Sequence, residues 1–235
     1  MLNADTIKII PEWKELLKAE FEKPYFTSIK SHYLEAKKQG APIYPPGKLT
    51  FNALNLTPPA KINVVILGQD PYHGSFLRDG VEIPQAMGLS FSVPRSIPIP
   101  PSLKNIYKEL HRSLGIIAPN HGDLSAWCER GVLLLNAIFS VEKGKAGSHA
   151  YFGWENFSDA IIKIISRECE HIVFMLWGNY AKKKIPLIDQ SKHAIITAPH
   201  PSPLAQGFVG SGVFLKAQEA LQSFGKAPLD WSLPQ

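Results

Sequence analysis

Four short runs of mostly apolar residues stand out along this chain, and polar residues follow each of them. The runs are Ile62–Leu67, Val132–Leu135, Ile172–Trp177 and Ala194–Thr197. Short runs of consecutive apolar residues are typical of strands that are buried on both faces. The pattern therefore predicts a sheet of four strands at the centre of the protein.

Helical periodicity lies between the first two predicted strands. Pro100 and Pro101 precede Ser102, which we expect to be the N-cap of a helix because its hydroxyl can accept a hydrogen bond from the first turn. The apolar residues that follow recur at helical spacing: Leu103, Ile106, Tyr107, Leu110 and Leu114.

The next two strands are also separated by a predicted helix, whose apolar residues are Trp154, Phe157, Ile161, Ile164 and Ile165. The segment "NYAKKKIPLIDQ" (179–190) can form a further short helix before the last strand. Alternating strands and helices predict the α/β class, with a central four-stranded parallel sheet and helices on both faces.

Length and composition fit one compact domain that spans residues 1–235. The chain is 45% hydrophobic and 19% charged, which argues against disorder. Its N-terminus mixes charged and apolar residues unlike a signal peptide, and no apolar run approaches the roughly 20 residues of a membrane span. Cys128 and Cys169 form no CxxC pair, so we expect free, buried thiols and a cytoplasmic protein.

The charge balance is compatible with a polyanionic partner. Lysine and arginine number 25 against 20 aspartate and glutamate residues, and the pI is about 9.1. Many basic proteins bind no nucleic acid, so this surplus favours DNA or RNA only weakly.

Polar segments follow all four predicted strands. They are "GQDPYHG" (68–74), Asn136, "WGNYA" (177–181) and "PHPSPL" (199–204). The carboxyl ends of parallel strands meet at one edge of a sheet, where open α/β sheets bind their ligands. A turn requires only the Gly and Pro of these segments. The Asp, Tyr, Asn and His side chains therefore predict a functional site at that edge.

Five motifs in this order resemble the uracil-DNA glycosylases of the main bacterial and eukaryotic family. The motifs are "GQDPYHG" (68–74), "GLSFSV" (88–93), "IPPSLKNIYKEL" (99–110), "GVLLLNAIFSV" (131–141) and "APHPSPL" (198–204). The similarity covers nearly the whole chain, roughly Trp13 to Phe224. It implies an α/β monomer that hydrolyses the bond between uracil and deoxyribose in single- or double-stranded DNA, with no metal and no cofactor.

The resemblance also implies roles for residues near the first and last motifs. Asp70 would stabilise positive charge on the sugar and orient or deprotonate the attacking water, and His200 would donate a hydrogen bond to uracil O2. Gln69 would supply a backbone amide near the same oxygen. His73 would support the loop and a water molecule.

Three further residues would recognise the base. Asn136 would pair with uracil N3–H and O4, although its amide turned by 180° would suit cytosine equally well, so neighbours must lock it. Tyr72 would collide with the methyl group of thymine, and Phe91 would stack on the base.

Loop residues would hold the DNA. Pro101, Ser102, Gly178 and Ser202 would lie against phosphates near the extruded nucleotide, and Leu204 would fill the gap in the base stack.

The chain departs from the family pattern at four places, none of which includes the residues expected to do the chemistry. Residues 75–84 insert an extra loop that is either a simple surface excursion or a contributor to DNA contact. Met87 stands where His is common, and Asn179 where Ser is common. The loop after Leu204 is short.

Two other functions remain open at this point. One is a metal-dependent hydrolase that uses Asp70, His73 and His200, although no HExxH motif or paired carboxylates support it. The other is a relative that keeps the fold and binds DNA without catalysis.

Overall fold

The computed structural model describes residues 7–235, and helices separate the four predicted strands along the chain. The α-helices are α1 (Pro11–Leu16), α2 (Lys18–Phe21), α3 (Pro24–Lys38), α4 (Asn52–Leu56), α5 (Pro101–Leu114), α6 (Ser125–Glu129), α7 (Trp154–Glu168), α8 (Gly178–Lys182) and α9 (Val213–Ser223). The strands are β1 (Ile43–Tyr44), β2 (Val64–Gly68), β3 (Ser75–Arg78), β4 (Val81–Pro84), β5 (Val132–Asn136), β6 (Val141–Glu142), β7 (Val173–Trp177) and β8 (Ala194–Ala198).

The four predicted strands form one parallel sheet in the order β5-β2-β7-β8. Every residue of β2 and β7 is buried, as continuous apolar runs require in a sheet covered on two sides. Gly68 pairs with Asn136, and Trp177 pairs with Ala198, so the polar segments after these strands begin at one level. The predicted sheet is confirmed.

Helices cover both faces of this sheet and give the predicted α/β class. The apolar stripe of α5 is buried, and so is that of α7, where Phe157, Ile161 and Ile165 are fully enclosed. The segment 179–190 contains α8 and a 3-10 turn at Ile185–Leu187, in agreement with the predicted short helix.

The start of α5 differs from the prediction. Ser102 is not its N-cap, because the helix begins at Pro101 and Pro100 occupies the cap position. Proline suits the first helical position, since its φ is already helical and an N–H there has no partner within the helix. Ser102 therefore lies inside the first turn.

The extra loop predicted at residues 75–84 is a β-hairpin of β3 and β4. Asp79 and Gly80 occupy its turn with positive φ, and an Asp-Gly pair is a strong hairpin signal that the prediction overlooked. Glu82 joins the hairpin to the body of the protein through an ion pair with Lys143 and a hydrogen bond from the Tyr44 hydroxyl.

One large apolar core runs from Trp13 near the N-terminus to Leu233 near the C-terminus, and Tyr44, Ala86 and Val141 form a second, small cluster. Residues 1–6 of the predicted domain lie outside the described part of the chain. Both cysteines are free thiols as expected, although Cys169 is only partly buried.

Candidate active site

A cavity of about 570 Å³ lies where the carboxyl ends of the strands meet. Most of the predicted site residues line it: Gln69, Asp70, Tyr72, His73, Phe91, Ser102, Asn136, His200, Ser202 and Leu204. Gly178 lines an adjoining cavity of about 190 Å³ that shares Gln69 and His200 with the first. Pro101 lines neither cavity and is exposed at the start of α5.

The end of β2 has no room for a side chain. A Cβ on Gly68 would overlap the amide oxygen of Asn136 and would approach the Cβ of Ser90 to 2.9 Å. Beyond the strand, the N–H of Ile138 donates to the carbonyl of Gln69 at 2.9 Å. The chain is therefore held at its entry into the cavity before it reaches Asp70.

Asp70 is half-buried, and one of its oxygens is held by the backbone. The N–H of Gly147 donates to Asp70 Oδ2 at 2.9 Å. Residues 7–235 contribute no hydrogen bond to Oδ1, so that oxygen can face a substrate or a water molecule. Such an arrangement orients the carboxylate and keeps one oxygen for chemistry.

The imidazole of His200 has a defined hydrogen-bond role. The N–H of Ser202 donates to His200 Nδ1 at 3.0 Å, so the proton of the neutral ring resides on Nε2. Burial lowers the pKa of His200 and favours this neutral form. Gly178 approaches closely, since a Cβ there would lie 3.0 Å from the Cβ of His200. The ring can therefore donate a hydrogen bond from Nε2.

Phe91 adopts an unusual backbone conformation, with φ of +62°. This region costs a residue other than glycine about 1–3 kcal/mol and persists only where neighbours enforce it. The Ser90 N–H donates to the Leu134 carbonyl, and the Ser92 hydroxyl accepts from the Leu124 N–H. The ring of Phe91 consequently lies 5.9 Å from that of His200, on the wall of the cavity.

Tyr72 and Asn136 complete the inner wall of the cavity. The Tyr72 hydroxyl is buried without a hydrogen-bond partner in the described chain, and burial raises its pKa, so the phenol is neutral. The amide of Asn136 has no hydrogen-bond partner within residues 7–235. Neighbours that lock this amide in one orientation were expected, and no hydrogen bond in that part of the chain provides such a lock.

Comparison with known proteins identifies the family. A family model described as the uracil DNA glycosylase superfamily matches residues 54–222. The chain is 63% identical over 230 residues to the uracil-DNA glycosylase of Helicobacter hepaticus, with 98% of each chain covered. It is 55% identical over 233 residues to that of Campylobacter jejuni, with 99% of this chain and 97% of the relative covered. The chain belongs to the uracil-DNA glycosylase superfamily.

A solved structure supports the same assignment to the uracil-DNA glycosylase superfamily. The crystal structure of mimivirus uracil-DNA glycosylase superposes with a TM-score of 0.91 at 36% identity, over 99% of this chain and 90% of that one. A variant of the mimivirus protein has also been solved in complex with UGI. The resemblance drawn from the five motifs is thus confirmed.

Residues 146 and 147, in the segment before α7, reach the candidate site. No pattern in the sequence predicted this contact. Gly147 supplies the amide that holds Asp70, and Ala146 lines the cavity. The glycines at 144 and 147, both with positive φ, were the available signal for a tight turn. Their spacing did not reveal that the turn contacts a residue so distant along the chain.

No group of three or more His, Cys, Asp or Glu side chains in residues 7–235 is arranged to hold a metal ion. Asp70, His73 and His200, the residues of the metal-dependent alternative, therefore form no such group. His73 is exposed at the rim, where its carbonyl accepts a hydrogen bond from the Gly144 N–H at 2.8 Å.

Proposed function

We propose that this protein rotates uracil out of DNA and hydrolyses its N-glycosidic bond, leaving an abasic site as the first step of base excision repair. The observation that carries the proposal is that an oriented carboxylate, Asp70, and a neutral imidazole donor, His200, line the same cavity. A base inside a duplex is out of reach of such a cavity, so the nucleotide has to be extruded first.

The two residues address the two charges that develop as the bond between C1′ and N1 breaks. Asp70 stabilises the positive charge on the sugar, orients the water that adds to C1′ and accepts the proton that this water loses. His200 donates from Nε2 to uracil O2, where negative charge accumulates on the leaving base. The backbone N–H of Gln69 assists at the same oxygen. These interactions strengthen in the transition state and therefore accelerate the reaction.

Recognition of the base falls to three residues of the cavity wall. Asn136 accepts from N3–H and donates to O4 of uracil, while cytosine presents the opposite pattern at both atoms. Tyr72 occupies the space that the methyl group of thymine requires. Phe91 stacks on the base. The enforced backbone conformation of Phe91 turns its own ring towards the cavity.

The rim of the cavity provides the DNA contacts. Leu204 is 97% exposed in its loop, so its side chain is free to enter the base stack when DNA binds. Pro101, Ser102, Gly178 and Ser202 lie against phosphates on either side of the extruded nucleotide. His73 supports the loop, and the substrate is uracil-containing DNA in single- or double-stranded form.

We propose in addition that residues 1–235 act as one catalytic domain, as a cytoplasmic monomer, without a metal ion or cofactor. The continuous core of the described residues supports a single domain. Within residues 7–235 no helix combines the length and the apolar character needed to cross a membrane.

A cleavage assay tests the proposed reaction. An oligonucleotide with one uracil is incubated with the protein in the presence of a chelator, beside matched thymine and cytosine oligonucleotides. We expect an abasic site only in the uracil strand. Loss of activity in chelator, restored by one divalent ion, would instead support the metal-dependent hydrolase, and binding without cleavage would support the inactive relative.

The Asp70→Asn variant tests the assignment of the carboxylate. The amide keeps the shape of the side chain but loses its charge, so we expect similar affinity for uracil DNA and turnover slowed by about a hundredfold or more. Asp79→Asn, in the exposed turn of the hairpin, is the matched control and should cleave normally. Unchanged turnover in Asp70→Asn would remove this residue from the mechanism.

A further inference from the structure

A buried carboxyl group in α5 contacts the Leu204 loop, which comprises residues 199–212 between β8 and α9. Glu109 is completely buried, which is rare for a charged residue. Its Oε1 accepts hydrogen bonds from the Gly212 N–H and the Ser113 hydroxyl, each at 2.7 Å, and its Oε2 accepts from the Gly210 N–H. No lysine or arginine within residues 7–235 forms an ion pair with it. Its main partners are therefore two backbone amides of the Leu204 loop.

The same helix also contacts the other end of this loop. Asn105, one turn before Glu109, donates to the Pro201 carbonyl at 2.9 Å. Between the two attachments, Phe208 is buried against Trp177 with ring centroids 5.0 Å apart. The exposed Leu204 thus lies in a loop whose two ends are bound to one rigid helix.

We propose that Glu109 is a positioning residue for the cleavage of duplex DNA. Glu109 binds the backbone at Gly210 and Gly212 and thereby presents Leu204 in a fixed place. The proposal rests on the proposed function, in which Leu204 enters the base stack. A wedge that opens a base pair must resist displacement, and a loop that is already ordered loses less entropy when it binds. Single-stranded uracil has no base pair to open, so its cleavage depends far less on this support.

Glu109→Gln isolates the contact, because it preserves the size of the side chain. A carboxamide has only one acceptor oxygen. Its NH₂ group would face one of the two loop N–H groups and could not accept a hydrogen bond from it. One buried N–H is thereby left without a partner, which frees that end of the loop. Glu109→Asp, one methylene shorter, serves as the second variant in case the first fails to fold.

Two residues of the same helix provide matched controls. Ser113→Ala removes the third hydrogen bond to Glu109 without touching the loop. Tyr107→Phe removes a buried hydrogen bond to the His121 carbonyl, which is unrelated to the Leu204 loop. Each variant reports what is lost when α5 is destabilised while the loop contacts remain.

The test compares kcat/KM for uracil in a duplex with that for uracil in a short single strand. For Glu109→Gln we expect the duplex value to fall about tenfold or more, with the single-strand value within about twofold of the unaltered protein. Both controls should leave the ratio of the two values unchanged, even where they lower Tm. If Glu109→Gln leaves the ratio of the duplex value to the single-strand value unchanged, the positioning role is overturned. This holds whether both values of kcat/KM fall equally or neither falls.

Hydrogen exchange of the free protein tests the same contact without DNA. Faster exchange at the amides of Gly210 and Gly212 in Glu109→Gln, but not in Tyr107→Phe, is the expected result. Unchanged exchange would show that the loop does not depend on Glu109. If the unaltered protein released no uracil, the proposed function would fail, while the exchange result would still decide whether Glu109 holds the loop.

Discussion

Gly68 and Asn136 are paired residues at the ends of β2 and β5, and the amide of Asn136 lies where a side chain on residue 68 would lie. Each residue thereby constrains the other. Asn136 can reach into the cavity only because the neighbouring strand ends in glycine. A residue that contacts no base in the proposed complex consequently controls one that does.

Gly68→Ala should therefore damage recognition of the base. The added methyl group displaces the Asn136 amide or Ser90, and such overpacking costs typically about 1–3 kcal/mol of folding free energy. We expect kcat/KM for uracil DNA to fall at least tenfold, measured beside Tm. Gly47→Ala is the control, because among residues 7–235 its Cβ would meet only the Tyr33 hydroxyl, at 3.2 Å. Full activity in Gly68→Ala would show that the Asn136 amide need not lie where it does.

Tyr72 offers a test of thymine exclusion with its own control. Tyr72→Ala opens the space for a methyl group, so cleavage of thymine-containing DNA should become measurable. Tyr72→Phe keeps the ring and removes only a hydroxyl that has no hydrogen-bond partner in the described chain, so thymine should remain excluded with little change in Tm. Continued rejection of thymine by Tyr72→Ala would assign the exclusion to another wall of the cavity.

His200 should become protonated at a lower pH than an ordinary histidine. Burial lowers the pKa of His200 from its ordinary value of 6.5, so the folded protein favours the neutral ring. Its contribution to stability is present above pH 6.5 and is lost as pH falls through the lowered pKa. Protonation also places an N–H on Nδ1 opposite the Ser202 N–H and breaks that contact.

The titration of His200 can be followed directly by its ring proton resonances in NMR, with His200→Ala to assign them. We expect a midpoint below pH 6.5 and a fall in kcat on the acid side of it. A midpoint at or above pH 6.5 would contradict the lowered pKa, and a midpoint above the pH of maximal kcat would mean that the ring is charged when the base departs, contrary to the role proposed for it.

Salt should weaken DNA binding if the rim contacts phosphates. The surplus of 25 basic over 20 acidic residues favours release of counterions from DNA, so log K should fall linearly with log salt concentration. Binding of free uracil, which has no phosphate, is the matched control and should change little. DNA affinity that is independent of salt would contradict anchoring by phosphates.

The strands and the long helices could be predicted because their signals are local. The runs that became β2 and β7 are apolar at nearly every position, and the apolar positions of α5 and α7 repeat with helical spacing. Parallel strands have their carboxyl ends at one edge, so the meeting of Asp70, Asn136 and His200 followed from their positions after these strands. The hairpin at 75–84 carried an equally local signal in its Asp-Gly turn.

The groups that hold the site residues in place could be identified only from contacts between distant parts of the folded chain. Gly147 binds Asp70 from 77 residues away, and Glu109 binds Gly210 across 101 residues. Such contacts depend on how turns and helices pack in three dimensions, and no periodicity within a segment encodes them. The fold, the cluster of polar residues and the family resemblance could be predicted from the amino-acid sequence, because each is expressed in neighbouring residues. The orientation of Asp70, the tautomer of His200 and the anchoring of the Leu204 loop required the folded chain, since each depends on the three-dimensional placement of a backbone amide.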